Sequence, residues 1–225
     1  RRVGRAAFPA VPESGRFSLR GNYHGAMPTI PQGSWLSGRF VRLGPVVEAD
    51  LPALAGILAE PAVYDQGYVM HHRPTSVGEA LEMARVRYLD PSVCDGDGRG
   101  RVAYAVRLLE DSPLGAAGEV VGTTSVGEAY LAHERLHLGW TLYHPRVWGT
   151  QVNPETKYLL LRHCFEDLHY GRVKIQTDAL NSRSVAAIAA LGATREGVLR
   201  RHTRREDGSF RDTVVFSVLA DDWPA

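Results

Sequence analysis

The chain has 225 residues, 44% of them hydrophobic and 23% charged, which is enough for one sizeable core and short for two. A formal net charge of +1 gives no global basic field, so nucleic acid is not expected as the main partner. No run approaches the roughly 20 apolar residues of a membrane span, and the two cysteines, Cys94 and Cys164, are too far apart in sequence to suggest a small disulfide framework; a reducing, cytoplasmic setting fits.

Residues 1–35 are interrupted by Pro9, Pro12, Pro28 and Pro31 and read as an arm without its own core; residues 36–225 read as the domain. The arginine-rich start lacks the apolar block or amphipathic helix of a targeting peptide. Lys157 and Lys174 are the only lysines, a bias that suggests a GC-rich bacterial source. A strand is expected within Gly38–Val47, then a helix capped by Asp50 with Leu51, Leu54, Ile57 and Leu58 at helical spacing. A second helix is expected from Ser76 to Tyr88, followed by a loop over Cys94–Gly100. Two strands, RVAYAVRLLE and EVVGTTSV, follow around the turn DSPLGAAG.

Strand LHLGWTLY then leads through PRVWGTQ into a helix carrying Tyr158, Leu161, Cys164, Phe165 and Leu168 on one side, with Asn153 as its expected cap. Strand RVKIQTD precedes a helix from Ser182 to Leu191 that Gly192 ends. Two last strands flank Asp207-Gly208, a strong hairpin signal. The pattern predicts an α/β fold with a largely antiparallel sheet flanked by helices.

A strand, a loop containing Arg146, Trp148, Gly149, Thr150 and Gln151, and an immediate helix form a generic anion site, because free amides and the helix dipole converge there. Together with LSGRFVRLGPVVEADLPAL before it and DALNSRSVAAIAALGATREGVLRRH and DGSFRDTVVFSVLADDW after it, the stretch LGWTLYHPRVWGTQVNPETK resembles the GNAT (Gcn5-related N-acetyltransferase) superfamily, and within it the RimJ/RimL-like branch. The resemblance spans about Leu36 to Trp223. It implies a splayed GNAT sheet that takes acetyl-CoA as cosubstrate between two strands. Acetyl would pass to a primary amine of a protein N-terminus or small molecule, by direct attack in a ternary complex.

On that resemblance the CoA thioester meets Leu142, Tyr143, Arg146, Trp148, Gly149, Thr150, Gln151, Val152, Asn181 and Ser184. The family's loop carries Gly or Ala where this chain has Gln151. Since the loop acts through main-chain N–H groups, binding survives if residue 151 has ordinary dihedrals. Family members often carry a tyrosine seven residues after the Asn to protonate the leaving thiolate; here Ile188 stands there, so the role falls to Ser184, to water or to no group.

His137 stands where relatives often carry Glu, and its imidazole suits proton acceptance; a packed strand histidine is the structural alternative, since a bulge near Thr141 leaves its face open. Glu119, Glu128 and Glu134 are further candidates for the base, each also readable as a surface charge. Cys164, on an apolar helix face, is a poor nucleophile. A site poor in strong bases favours an α-amine, of pKa ~7.7–8.0, over a lysine near ~10.4.

His71-His72 lacks the third ligand and spacing of a metal site, so no metal is expected. The run RRHTRRED reads as a solvated edge, or as a patch for an acidic acceptor or the 3′-phosphate of CoA. Trp35, Tyr64, Tyr68 and Tyr88 either pack the core or line an acceptor pocket. The arm and the C-terminal strands are compatible with a homodimer. Two other readings stay open: a non-catalytic acyl-CoA-binding module, motivated by Gln151 and Ile188, and an enzyme using a longer acyl-CoA donor.

Overall fold

The computed structural model describes residues 26–65, 69–89 and 101–223; Tyr68, Cys94 and the first part of the arm lie outside them. Eight strands form one open sheet: β1 (Leu36–Ser37), β2 (Val41–Pro45), β3 (Arg101–Leu108), β4 (Val120–Tyr130), β5 (Arg135–Tyr143), β6 (Arg172–Asp178), β7 (Thr194–Arg204) and β8 (Phe210–Leu219). Their spatial order is β1-β2-β3-β4-β5-β6-β8-β7. Every neighbouring pair is antiparallel except β5 with β6.

Helices cover the two faces separately. Helices α1 (Leu51–Ala59) and α2 (Val77–Tyr88) pack Leu54, Leu58, Ala80 and Ala84 against Ala103 and Ala105 of β3. On the opposite face, α3 (Val152–Arg162) and α4 (Ser182–Ala190) bring Leu159, Leu160 and Ile188 onto Tyr104, Leu138, Val173 and Phe216. Because successive strand residues point to opposite faces, this division fixes the side on which each intervening polar residue lies.

Several elements follow from local signals. Ser76 caps α2, accepting from the Glu79 N–H at 3.1 Å, and Gly208 supplies the positive φ of the β7–β8 turn. Two caps differ from the expectation. Asp50 stands before α1 but its carboxylate accepts from the Val47 N–H and from Arg107 across the sheet, and makes no bond to the helix. Helix α3 begins at Val152 with Gln151 before it, so Asn153 lies inside the first turn. The last turn of that helix widens into a π segment over His163–Asp167.

The described end of the arm is docked: the Thr29 N–H donates to the Leu168 carbonyl, the Tyr170 hydroxyl donates to the Thr29 carbonyl, and Pro28 and Pro31 are buried. Trp35 lies half exposed, with the Arg42 and Arg107 guanidinium groups over its ring. Cys164 is buried in the core, and burial pushes its thiol pKa up, which removes it as a nucleophile at neutral pH.

Candidate active site

The two parallel strands hold together over only three pairs, Arg135↔Arg172, Leu136↔Val173 and His137↔Lys174. Past this point β6 pairs with β8 down to Asp178, and the edge of β5 from Leu138 to Tyr143 has no strand partner on that side among the described residues. The backbone groups of that edge need another partner. A notch opens here, with His137 at its closed end.

The second irregularity sits just beyond. Ser125 faces Gly139 and Thr123 faces Leu142, so Trp140 and Thr141 together oppose Thr124 alone. This is a β-bulge, and Trp140 takes φ +50° within it. The bulge expected near Thr141 is therefore present.

Beneath the bulge lies a residue that the sequence reading passed over. Lys157 reaches up from α3, 5% exposed, and its ammonium donates to Thr141 Oγ1 at 2.6 Å and Thr124 Oγ1 at 2.9 Å. The two hydroxyls are 2.9 Å apart. Among the described residues no carboxylate joins them, and burial lowers the amine pKa to about 7.

On the other face, His137 is packed rather than exposed to solvent. The ring is 3% exposed and tilts against Trp140 at 4.4 Å between centroids. Its Nδ1 lies 3.3 Å from Glu128 Oε1, and Glu128 is also paired with Lys174. Burial lowers the His137 pKa, opposed by Glu128, while Lys174 and Lys157 act in the same direction as burial. Burial raises the Glu128 carboxyl, yet the His137 hydrogen bond and the Lys174 ammonium outweigh it and hold its pKa at about 2. The other imidazole nitrogen, Nε2, is buried without a partner among the described residues. It points along β5 toward the bulge: a Cβ on Gly139 would stand 2.6 Å from it.

The loop before α3 is a short helical turn over Pro145–Val147, followed by Gly149 at φ +74°. Gln151 has φ −70° and ψ −11°, a conformation open to any residue. The amides of Gly149, Gln151 and Asn153 have no backbone partner among the described residues, and Pro154 has no N–H, so free donors gather at the helix start. Thr150 uses its hydroxyl on the turn, donating to the Val147 carbonyl and accepting from the Val152 N–H. Arg146 is paired with Glu119, and the Val152 and Tyr143 side chains are buried. These side chains are therefore engaged within the protein, whereas the Gly149 and Gln151 N–H groups have no backbone partner among the described residues.

Asn181 caps α4, accepting from the Ser184 N–H at 3.0 Å. The cap occupies its carbonyl oxygen and leaves its amide donors. The Arg183 guanidinium, which the sequence reading also missed, lies 4.0 Å over the Trp148 ring and joins α4 to the loop. Trp148, Asn181, Arg183 and Asp65 border a cavity of about 260 Å³. Leu142 packs its side chain on the α1/α2 cluster. His137 and Ser184 make no hydrogen bond to each other, and Ile188 is 5% exposed in the core.

A sheet parted at one parallel pair, with a bulge beside the gap and free amides at the next helix, is the arrangement of an acyl-CoA transferase fold. Residues 41–194 match the family model described as "Acetyltransferase (GNAT) domain", and the chain belongs to that family of N-acetyltransferases. A solved protein of T. thermophilus, assigned as an acetyltransferase, is 37% identical, with 88% of this chain and 94% of that chain covered and a TM-score of 0.71. Another structure assigned as an acetyltransferase is 38% identical over 84% of this chain and 88% of that one, with a TM-score of 0.70. RimJ of Mycobacterium smegmatis, solved in complex with CoA-disulfide, shares the fold at 20% identity, with 89% and 93% covered and a TM-score of 0.66. A search of curated proteins found no match.

Proposed function

We propose that the chain transfers acetyl from acetyl-CoA to a primary amine, as a RimJ/RimL-like enzyme acting on a protein N-terminus or a small amine. The observation that carries this reading is the parting of β5 from β6 at the His137–Lys174 pair, which leaves an unpaired strand edge facing a notch. The residues fit the cosubstrate. The edge of β5 can pair with the amide groups of pantetheine, the Gly149 and Gln151 amides can receive pyrophosphate, and the Asn181 amide donors lie across the notch. Bound acetyl-CoA supplies an activated thioester carbonyl.

The protein's own part is to orient the amine and take its proton. His137 is kept neutral by burial, and its Nε2 has no partner, so it can accept a proton directly or through water. Glu128, held ionised, orients the ring through Nδ1 and stabilises the imidazolium that results. Ser184 is the group assigned to the leaving sulfur, because Ile188 cannot donate a proton. The bulge presents main-chain groups at the open end of the notch, suited to a developing oxyanion.

Calorimetry with acetyl-CoA, followed by release of free thiol with a panel of peptide α-amines and small amines, tests the reading. Binding with acceptor-dependent release is the expected result. Binding without release from any amine would favour a non-catalytic module, and release only from longer thioesters would change the donor.

A further inference from the structure

Beside the notch lies a positive charge with no counterpart. Arg205, 9% exposed, is paired with Asp178, 3% exposed, at the end of β6. Arg205 also donates to the Phe210 carbonyl at 3.0 Å and the Ser209 hydroxyl at 3.3 Å. Arg211 is half-buried in the field of the same Asp178 and Arg205. It has no ion pair or hydrogen bond among the described residues, and its Nε is inaccessible to water. The nearby carboxylates are committed elsewhere: Asp212 accepts from the Arg201 N–H, Glu206 pairs with His72, Asp207 accepts from the Ser209 N–H, and Glu196 pairs with Arg172. One carboxylate thus stands against two guanidinium groups, and a half-buried cation without a partner is less favourable than a paired one.

The place of this excess charge gives it a use. Val214, Phe216 and Val218 of β8 enter the α3/α4 core, as do Leu136 and Leu138 of β5. Alternation puts Arg211 and His137 on the opposite face of the sheet, the face that α1 and α2 cover only over its other half. Strands β5 and β6 run parallel from the His137–Lys174 pair. Asp178, four residues past Lys174 at the end of β6, faces Thr213 of β8, beyond the level of the bulge at Trp140 and Thr141. Arg211 lies two residues beyond Thr213 in that direction and on the same face, toward the open end of the notch.

Resting on the acetyltransferase reading, we infer that Arg211, supported by Arg205 and Asp178, binds a carboxylate of the amine acceptor. Asp178 locks Arg205, and Arg211 is left to form a bidentate pair with the incoming acid. Strand β6 lies between β5 and β8, so about two strand spacings of ~4.8 Å separate their backbones, a gap that the Arg211 side chain and the acceptor bridge together. Two sources have that chemistry: a free amino acid, through its α-carboxylate, or a peptide that begins with an acidic side chain.

The test compares kcat/KM for isosteric pairs, Glu- against Gln-initiated peptides and free amino acids against their amides, in the wild type and in Arg211→Gln and Arg211→Lys. The wild type is expected to prefer the acid by about tenfold or more, as a site built for a polar group rejects the analogue lacking it. Arg211→Gln should bring that ratio to near one through KM, and Arg211→Lys should restore part of it. The pair in which the preference appears names the source. Calorimetry with N-acetylglutamate against its diamide reads the same site without turnover, so loss of all transfer would defeat the enzymatic reading and leave this binding measurement to decide. Wild-type indifference to the acid in both measurements would overturn the assignment. So would an unchanged ratio in Arg211→Gln, or a variant whose only effect is weaker CoA binding.

Discussion

Lys157 Nζ lies 2.6 Å from Thr141 Oγ1, so a buried amine on one helix fixes the residue that makes the bulge in β5. With no carboxylate to balance it, the amine titrates near neutrality, at about 7 rather than the ordinary lysine value of 10.5. Between those two values the unfolded chain binds a proton that the folded chain does not, so stability rises with pH across that window. The urea midpoint of the wild type is expected to climb between pH 7 and pH 9 relative to Lys157→Met, in which Thr124 and Thr141 keep each other as partners. Identical pH slopes for the two proteins would show that the folded amine is not perturbed.

His137 and Gly139 form a second dependence. Replacing His137 by Gln removes the unpartnered Nε2 and should lower kcat/KM by roughly 10²–10⁴-fold, the range of a lost general base, with acetyl-CoA affinity unchanged. Since burial lowers the imidazole pKa, protonation that disables it occurs below the ~6.5 of a free imidazole, and the acid limb of the rate profile should fall there. Gly139→Ala should lower the rate too, because a Cβ 2.6 Å from Nε2 must push the ring aside. Full activity in His137→Gln would return the histidine to a packing role.

The legible parts of the sequence were those whose cause is local. The Asp207-Gly208 pair specifies a turn within four residues and stands where expected, and Ser76, at the expected start of its helix, is its cap. Alternating apolar residues gave the central strands, and the family blocks gave their assembly. Lys157 was invisible because a lysine in an amphipathic helix reads as surface. Only the pairing of Thr124 and Thr141 across a bulge, from segments 33 and 16 residues away, gives its ammonium a buried place. Arg211 was not singled out, for the same reason: burial and lack of a counter-charge are properties of the assembled sheet. Arg146 was placed at the CoA site by the family's loop pattern, and its guanidinium pairs with Glu119, which lies just before β4.

The phosphate loop yields opposite expectations at two neighbouring positions. Gln151 already has an ordinary helical conformation, φ −70°, so Gln151→Gly should change the CoA dissociation constant by less than about threefold, well under 1 kcal/mol. Gly149 at φ +74° is different. Alanine there costs about 1–2 kcal/mol from the left-handed conformation, although no atom crowds the site. Gly149→Ala should weaken CoA binding more than Gln151→Gly does when both are titrated by calorimetry. The reverse order would mean that the Gln151 side chain, rather than the backbone, controls the loop.

Glu155 ties the start of the same helix to the beginning of the domain. Its carboxylate accepts from three consecutive amides, Arg39 at 2.6 Å, Phe40 at 2.7 Å and Val41 at 2.8 Å. The close packing requires Gly38, where a Cβ would meet the carboxylate carbon at 2.4 Å. Removing the acceptor strands three donors, each worth about 1–3 kcal/mol if buried, but the first two are near solvent and water replaces much of that loss. Glu155→Ala should therefore destabilise by about 1–2 kcal/mol in urea denaturation. Because α3 carries both the free amides of the loop and Lys157, the same variant should weaken CoA binding as its first turn loosens. A stability within about 0.5 kcal/mol of wild type, the usual scatter of surface substitutions, would show that water serves the three amides as well as the carboxylate does, and that the helix start is held by its apolar packing alone.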